Sequence, residues 1–175
     1  MSAGLDETPI RRAVGRAAAR YDANAVLQTE VAQRLRERID EDAAKTNVRL
    51  GVEGRRGYEE IPSERELVAL LDELNSPQIG YWHDMGHIQI KENLGFLDHE
   101  EWLRTIGARA LGCHLQDCIW PAQDHQPPFA GGVALEKLVP LLPPNCLFVW
   151  EISPRKSAEE LQRSVVIWTE RPGDR

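Results

Sequence analysis

After residue 47 the chain repeats one pattern: four short apolar runs, with stretches of helical spacing between and after them. The runs are Val48-Arg49-Leu50-Gly51-Val52, Ile79-Gly80-Tyr81-Trp82, Ala110-Leu111-Gly112-Cys113 and Cys146-Leu147-Phe148-Val149-Trp150. Each is bounded by turn formers and is too short for a core helix, which predicts strands buried on both faces. Helices are predicted over 63–74, 98–106, 135–142 and 157–169. Ser63 followed by Glu66 spells a capping box, and Asp98 followed by Glu101 a looser form of it. Alternation of this kind implies parallel βαβ units with right-handed crossovers. Upstream, 8–45 is rich in Ala, Arg, Glu, Leu and Gln, with Val26, Leu27, Val31, Leu35 and Ile39 at helical spacing. The chain therefore reads as a helical segment over 1–46, one long or two short helices, then an α/β body over 47–170 and a tail over 171–175.

The chemistry sits where each predicted strand ends. Glu53 follows the first run, Asp84 and His87 the second, His114 the third and Glu151 the fourth. Successive positions from Glu53 to Asp84, His114 and Glu151 lie 31, 30 and 37 residues apart, about one βα unit each. Parallel strands closed toward a barrel bring their C-terminal ends to one site. Two glutamates, an aspartate and a histidine meeting there form a hard, mixed O/N ligand set. It favours Mn²⁺ or Mg²⁺ and permits Co²⁺ or Zn²⁺. Carboxylates turned inward together need a counter-charge, which a divalent cation supplies.

Glu53 within LGVEGR, DMGH over 84–87, HLQD over 114–117 and Glu151 within FVWEISP resemble the successive motifs of the xylose isomerase-like sugar phosphate isomerase/epimerase family. The resemblance covers 47–170 and implies strands five to eight of a TIM barrel, hence an α/β fold of about four parallel βα units. It implies that Glu53, Asp84, His114 and Glu151 bind one divalent metal, Mn²⁺ foremost, and that His87 contacts a substrate oxygen beside it. Glu53 and Glu151 would be ligands and acid/base groups alike, one removing a carbon-bound proton from a small ketose or hydroxy-ketone and the other returning it. Asp124 and His125, ahead of Gly131 and Gly132, resemble the family's late loop, which makes His125 a candidate for lining the site or for a second metal. Trp120 is a candidate wall for a sugar. Some members carry an arginine shortly after the HxxD histidine; Cys118, Ile119 and Trp120 stand here instead, which leaves the sugar, and whether it is phosphorylated, open.

A complete barrel needs roughly 250 residues and the sequence has 175. A fragment of a longer barrel is the first expectation, a homodimer of halves the second, and a separate chain supplying the first half the third. Two competing functions are a non-catalytic metal- or carbohydrate-binding remnant and a zinc-dependent apurinic endonuclease. The formal net charge of −7 weighs against a nucleic-acid partner, since phosphate binders present a basic face. No apolar run is long enough to span a membrane and no secretory leader is visible, so the default expectation is the cytoplasm. Cys113, Cys118 and Cys146 then read as plain thiols. Among second-tier residues, His83 points away from Asp84 and reads as packing, as do Trp82 and Trp150. His99 is expected in solvent at a helix start, and Lys91 and Glu92 in a loop, as a lid or as plain surface.

Overall fold

The computed structural model describes residues 33, 34, 37, 38, 48–57 and 59–170. The chain divides into two compact units, Met1–Thr46 and Asn47–Arg175. In the first unit the described residues 33, 34, 37 and 38 are helical, and Gln33 hydrogen-bonds Glu37 one turn on at 3.4 Å. The remainder of the helix predicted over 8–45, and the tail over 171–175, lie outside the described residues.

The second unit is built on four parallel strands: β1 (Leu50–Glu53), β2 (Ile79–Asp84), β3 (Ala110–Leu115) and β6 (Leu147–Trp150), side by side in that order. Helix α1 (Glu64–Leu74) connects β1 to β2, and α2 (Met85–Asn93) and α3 (His99–Ile106) connect β2 to β3. An antiparallel pair, β4 (Asp117–Ile119) and β5 (Gln123–Gln126), then precedes the single-turn α4 (Leu135–Leu138), and α5 (Ala158–Thr169) follows β6. This is a partial TIM barrel. The register pairs Glu53 with Trp82, Asp84 with His114 and Leu115 with Trp150, so the C-terminal ends of all four strands fall on one edge of the sheet, with β1 ending two residues short of β2.

Local signals explain the helix starts. In α1 the Ser63 hydroxyl accepts from Glu66 N at 3.4 Å while Glu66 Oε2 accepts from Ser63 N at 2.8 Å. Ser157 and Glu160 repeat this reciprocal box at α5, with bonds of 3.2 and 2.8 Å. Asp98 caps α3 through Glu101 N at 2.7 Å, the first half of the box. Leu67, Leu71 and Leu74 of α1 recur on one face and are fully buried, as are Leu103 and Ile106 of α3. Each such leucine contributes about 1.5–3 kcal/mol by leaving water. Trp82 lies across the sheet over two glycines. A Cβ at Gly51 would stand 2.8 Å from Trp82 Cε3, and one at Gly112 would stand 2.3 Å from Cζ3. Glycine at both positions is thus a packing requirement.

Four expectations change. The outer strands are not buried on both faces: Leu50 on β1, and Leu147 and Val149 on β6, are exposed because each strand has a neighbour on one side only. The helix predicted over 135–142 is one α turn followed by a 3₁₀ turn, Val139–Leu141. Pro140 has no N–H to continue the α ladder. The segment after Asp84 is helix α2, not a loop, so Lys91 is only 2% exposed and pairs with Glu64. Glu92 accepts from His99 N at 2.9 Å. Finally, His99 is buried, 1% exposed. It opens the buried stripe of α3 with Trp102, Leu103 and Ile106.

Candidate metal centre

The end of each parallel strand delivers one ligand-bearing side chain, and the four meet. Glu53 closes β1, Asp84 closes β2, His114 is the penultimate residue of β3 and Glu151 follows β6. One ligand atom from each lies within 4.8 Å of the other three. His114 Nδ1 is 3.0 Å from Glu151 Oε2, 3.3 Å from Asp84 Oδ2 and 3.4 Å from Glu53 Oε1. The atom is buried, and these contacts are ion-pair approaches rather than well-aligned hydrogen bonds. Three carboxylates and one imidazole match a hard divalent ion.

The charges act on one another. The Asp84 carboxylate, aided by Glu151 and Glu53, raises the His114 pKa against the opposing effect of burial. Burial pushes the Asp84 carboxyl up, but His114, His87 and Gln116 outweigh it and hold the group below its ordinary value. Asp84 has a second duty: its Oδ1 caps α2 by accepting from His87 N at 2.8 Å. The helix therefore begins at Asp84 itself, and Asp84 and His87 occupy the N-cap and third positions of one turn.

His87 stands beside the cluster, with Nδ1 3.4 Å from Glu53 Oε1 and 3.6 Å from Asp84 Oδ2. Its Nδ1 also meets the Gly54 carbonyl at 3.3 Å. A carbonyl only accepts, which places the proton on Nδ1 and leaves Nε2 free. His125 joins the edge of the site, its Nε2 3.6 Å from Glu151 Oε1 and its Nδ1 3.1 Å from Asp124 Oδ1. Its φ of 54° lies in the left-handed region that non-glycine residues seldom adopt. That backbone is held at both ends, by His125 N donating to Gln116 Oε1 and Ser153 N donating to the His125 carbonyl at 2.9 Å. His87, Asp124 and His125 also offer atoms within 4.8 Å of one another. Trp120 stands apart: it is 73% exposed in the β4–β5 turn and lines neither cleft beside the carboxylates.

One of those clefts, about 590 Å³, is lined by Glu53, Arg56, His87, Lys91 and Glu151 among others. Arg56 reaches across it to the β4–β5 hairpin, with Nε 2.9 Å from Asp124 Oδ2 and Nη2 donating to the Ala122 carbonyl at 3.1 Å. Sequence reasoning gave neither Arg56 nor Gln116 a place here. Gln116 is fully buried, and its Nε2 donates to Asp84 at 3.0 and 2.8 Å and to Glu151 at 3.4 Å. The signal for it lay inside HLQD, in a polar residue placed between two acids' partners.

Behind β2 runs a buried chain of hydrogen bonds. Trp102 Nε1 donates to Tyr81 Oη at 3.0 Å, Tyr81 Oη meets His83 Nδ1 at 2.9 Å, and His83 Nε2 meets His99 Nε2 at 3.1 Å. His99 Nδ1 meets Gln89 Oε1 at 3.4 Å. Burial lowers the His83 pKa to about 3 and takes that of His99 well below its ordinary value.

No family model matches the sequence, and no curated protein matches it either. The fold does match. A solved structure of L-ribulose 3-epimerase superposes with a TM-score of 0.53 at 17% identity, covering 80% of this chain and 46% of that one. The chain therefore shares the fold of part of that structure, a partial TIM barrel, and spans about half its length. No helix among the described residues is long and apolar enough to cross a membrane.

Proposed function

We propose that this chain carries the metal-binding half of a sugar isomerase/epimerase barrel, acting on a small ketose, hydroxy-ketone or sugar phosphate. The observation that carries the reading is the convergence of Glu53, Asp84, His114 and Glu151, with His114 Nδ1 buried 3.0–3.4 Å from three carboxylates. These residues would hold one divalent ion, Mn²⁺ the best match, with Mg²⁺, Co²⁺ and Zn²⁺ as competitors. Bound there, the ion supplies Lewis acidity that eases removal of a proton from carbon next to a carbonyl.

The side chains provide the rest. Glu53 and Glu151 come from the two outermost strands of the sheet and so flank the centre. A substrate seated between them exposes one carbon to each carboxylate. One glutamate takes the carbon-bound proton and the other returns a proton, to the opposite face for epimerisation or to the neighbouring carbon for isomerisation; general acid–base help of this kind is worth about 10²–10⁴ in rate. The free Nε2 of His87 binds a substrate oxygen, and His125, oriented by Asp124, borders the same space. The exposed apolar residues of β1 and β6 support completion of the wall by further strands, from the same chain, a second copy or a separate chain. A second reading is metal or sugar binding at the same clustered residues without catalysis.

Solvent exchange of a substrate C–H proton separates the two. Screened over small ketoses and their phosphates in D₂O with Mn²⁺, the protein should incorporate deuterium next to the carbonyl, and Glu53→Gln should stop it. Tight metal and sugar binding without any incorporation would leave the binding-only reading standing.

A further inference from the structure

Gln116 is a neutral amide side chain that hydrogen-bonds two of the four converging residues, Asp84 and Glu151. We propose that it is a positioning residue that sets the metal affinity of the centre by fixing Asp84 and Glu151; the inference rests on the metal-centre reading above. The orientation of its amide is forced. Both Asp84 oxygens and Glu151 Oε2 accept, so Nε2 must face them, while His125 N donates, so Oε1 must face it. A flipped amide would set oxygen against oxygen and N–H against N–H. One side chain thus fixes the tilt of two carboxylates and the left-handed backbone of His125 together.

Its neutrality matters as much as its reach. A buried carboxylate needs donors, and the usual buried donor is a cation. A cation here would cancel part of the negative charge that attracts a metal. An amide satisfies the oxygens and leaves the full charge of three carboxylates in place. Restraint of ligand carboxylates by such neighbours is a general determinant of metal affinity.

The interlock with Gly86 gives a second, independent handle. A Cβ at Gly86 would stand 2.5 Å from Gln116 Oε1 and 2.7 Å from its Cδ. Gly86 is therefore the opening through which Gln116 reaches Asp84, and the glycine of DMGH and the glutamine of HLQD form one device. A methyl group at 86 displaces the amide while changing no ligand and no part of Gln116.

The test is calorimetric titration of the full-length, metal-stripped chain with Mn²⁺, for the wild type, Gln116→Met, Gly86→Ala and the double variant. Methionine keeps nearly the volume of glutamine and removes both its donor and its acceptor. Each single variant should weaken Mn²⁺ binding by about 10- to 100-fold, with an unchanged far-UV spectrum. The double variant should be no weaker than the weaker single one, since both act through one amide. A folded Gln116→Met variant that binds Mn²⁺ within about twofold of wild type overturns the proposal, because a merely space-filling residue predicts that result. Additive losses in the double variant overturn it too. If Gln116→Met does not fold, Gly86→Ala decides by the same criterion. A wild-type chain that binds no Mn²⁺ removes the metal-centre reading itself, and this inference with it.

Discussion

The chain of hydrogen bonds behind β2 runs in one direction, and acid breaks it. Trp102 Nε1 can only donate, so Tyr81 Oη accepts from it and passes its own proton toward His83 Nδ1. His83 then carries its proton on Nε2 and gives it to His99 Nε2, leaving His99 protonated on Nδ1, facing Gln89 Oε1. Both rings are neutral with fixed tautomers. A second proton on either ring removes an acceptor, and on His99 it sets N–H against N–H across 3.1 Å. The sign follows from linkage. The folded pKa of His83, about 3, lies below its unfolded value of about 6.5. Its contribution is complete above pH 6.5 and is lost as the pH falls toward 3. At about pH 5 the unfolded His83 ring has gained its proton and the folded one has not, which costs about 2 kcal/mol; His99 shifts in the same direction through burial. Urea unfolding with chelator present, at about pH 7.5 and pH 5, measures this. Wild type should lose at least about 2 kcal/mol from the pair, beyond any carboxylate contribution. His99→Gln, which keeps an acceptor for His83 Nε2, should lose measurably less than wild type over the same interval. Equal losses in the two proteins would refute the buried neutral pair.

Three further outcomes follow from the packing and the site. Glu64→Gln leaves the Lys91 ammonium buried beside a neutral partner and should destabilise by about 2–3 kcal/mol, since Glu64 is itself partly exposed; denaturant melts against Lys91→Met, which removes the charge, check it. Leu71→Ala, at a fully buried position of α1, should cost about 2–5 kcal/mol by the same measurement with an unchanged m-value. Glu151→Gln should lower solvent deuterium incorporation into a substrate by about 10²-fold or more; an unchanged rate would place the proton transfer on other groups.

What the sequence disclosed, and what it hid, divides along physical lines. The four buried or half-buried strands carried their apolar runs openly, and Ser63, Asp98 and Ser157 marked helix starts within a residue of where the chain turns. The in-phase Glu53, Asp84, His114 and Glu151 were legible because parallel strands convert a regular sequence interval into one point in space. Helix α2 was not, because its first residue follows β2 directly and its capping residue is the same Asp84 already read as a ligand. Lys91 and His99 were misplaced for a related reason. Each is polar and reads as surface, and only its partner, Glu64 for one and His83 for the other, makes burial affordable. The β4–β5 hairpin has a polar second strand, Gln123–Gln126, with no alternation to betray it. Arg56 and Gln116 gain meaning only from contacts across the fold, to Asp124, Asp84 and Glu151.

The central claim is that four strand-end residues hold a divalent ion, and metal content is its most direct test. The chain would be purified gently, its solution mass measured, and its metals counted by plasma mass spectrometry beside His114→Ala and Asp84→Asn. A divalent ion, Mn²⁺ foremost, should be bound in stoichiometric amount to wild type and absent from both variants. Folded, monodisperse wild-type protein that takes up no divalent ion, even with Mn²⁺ or Zn²⁺ in excess, would contradict it.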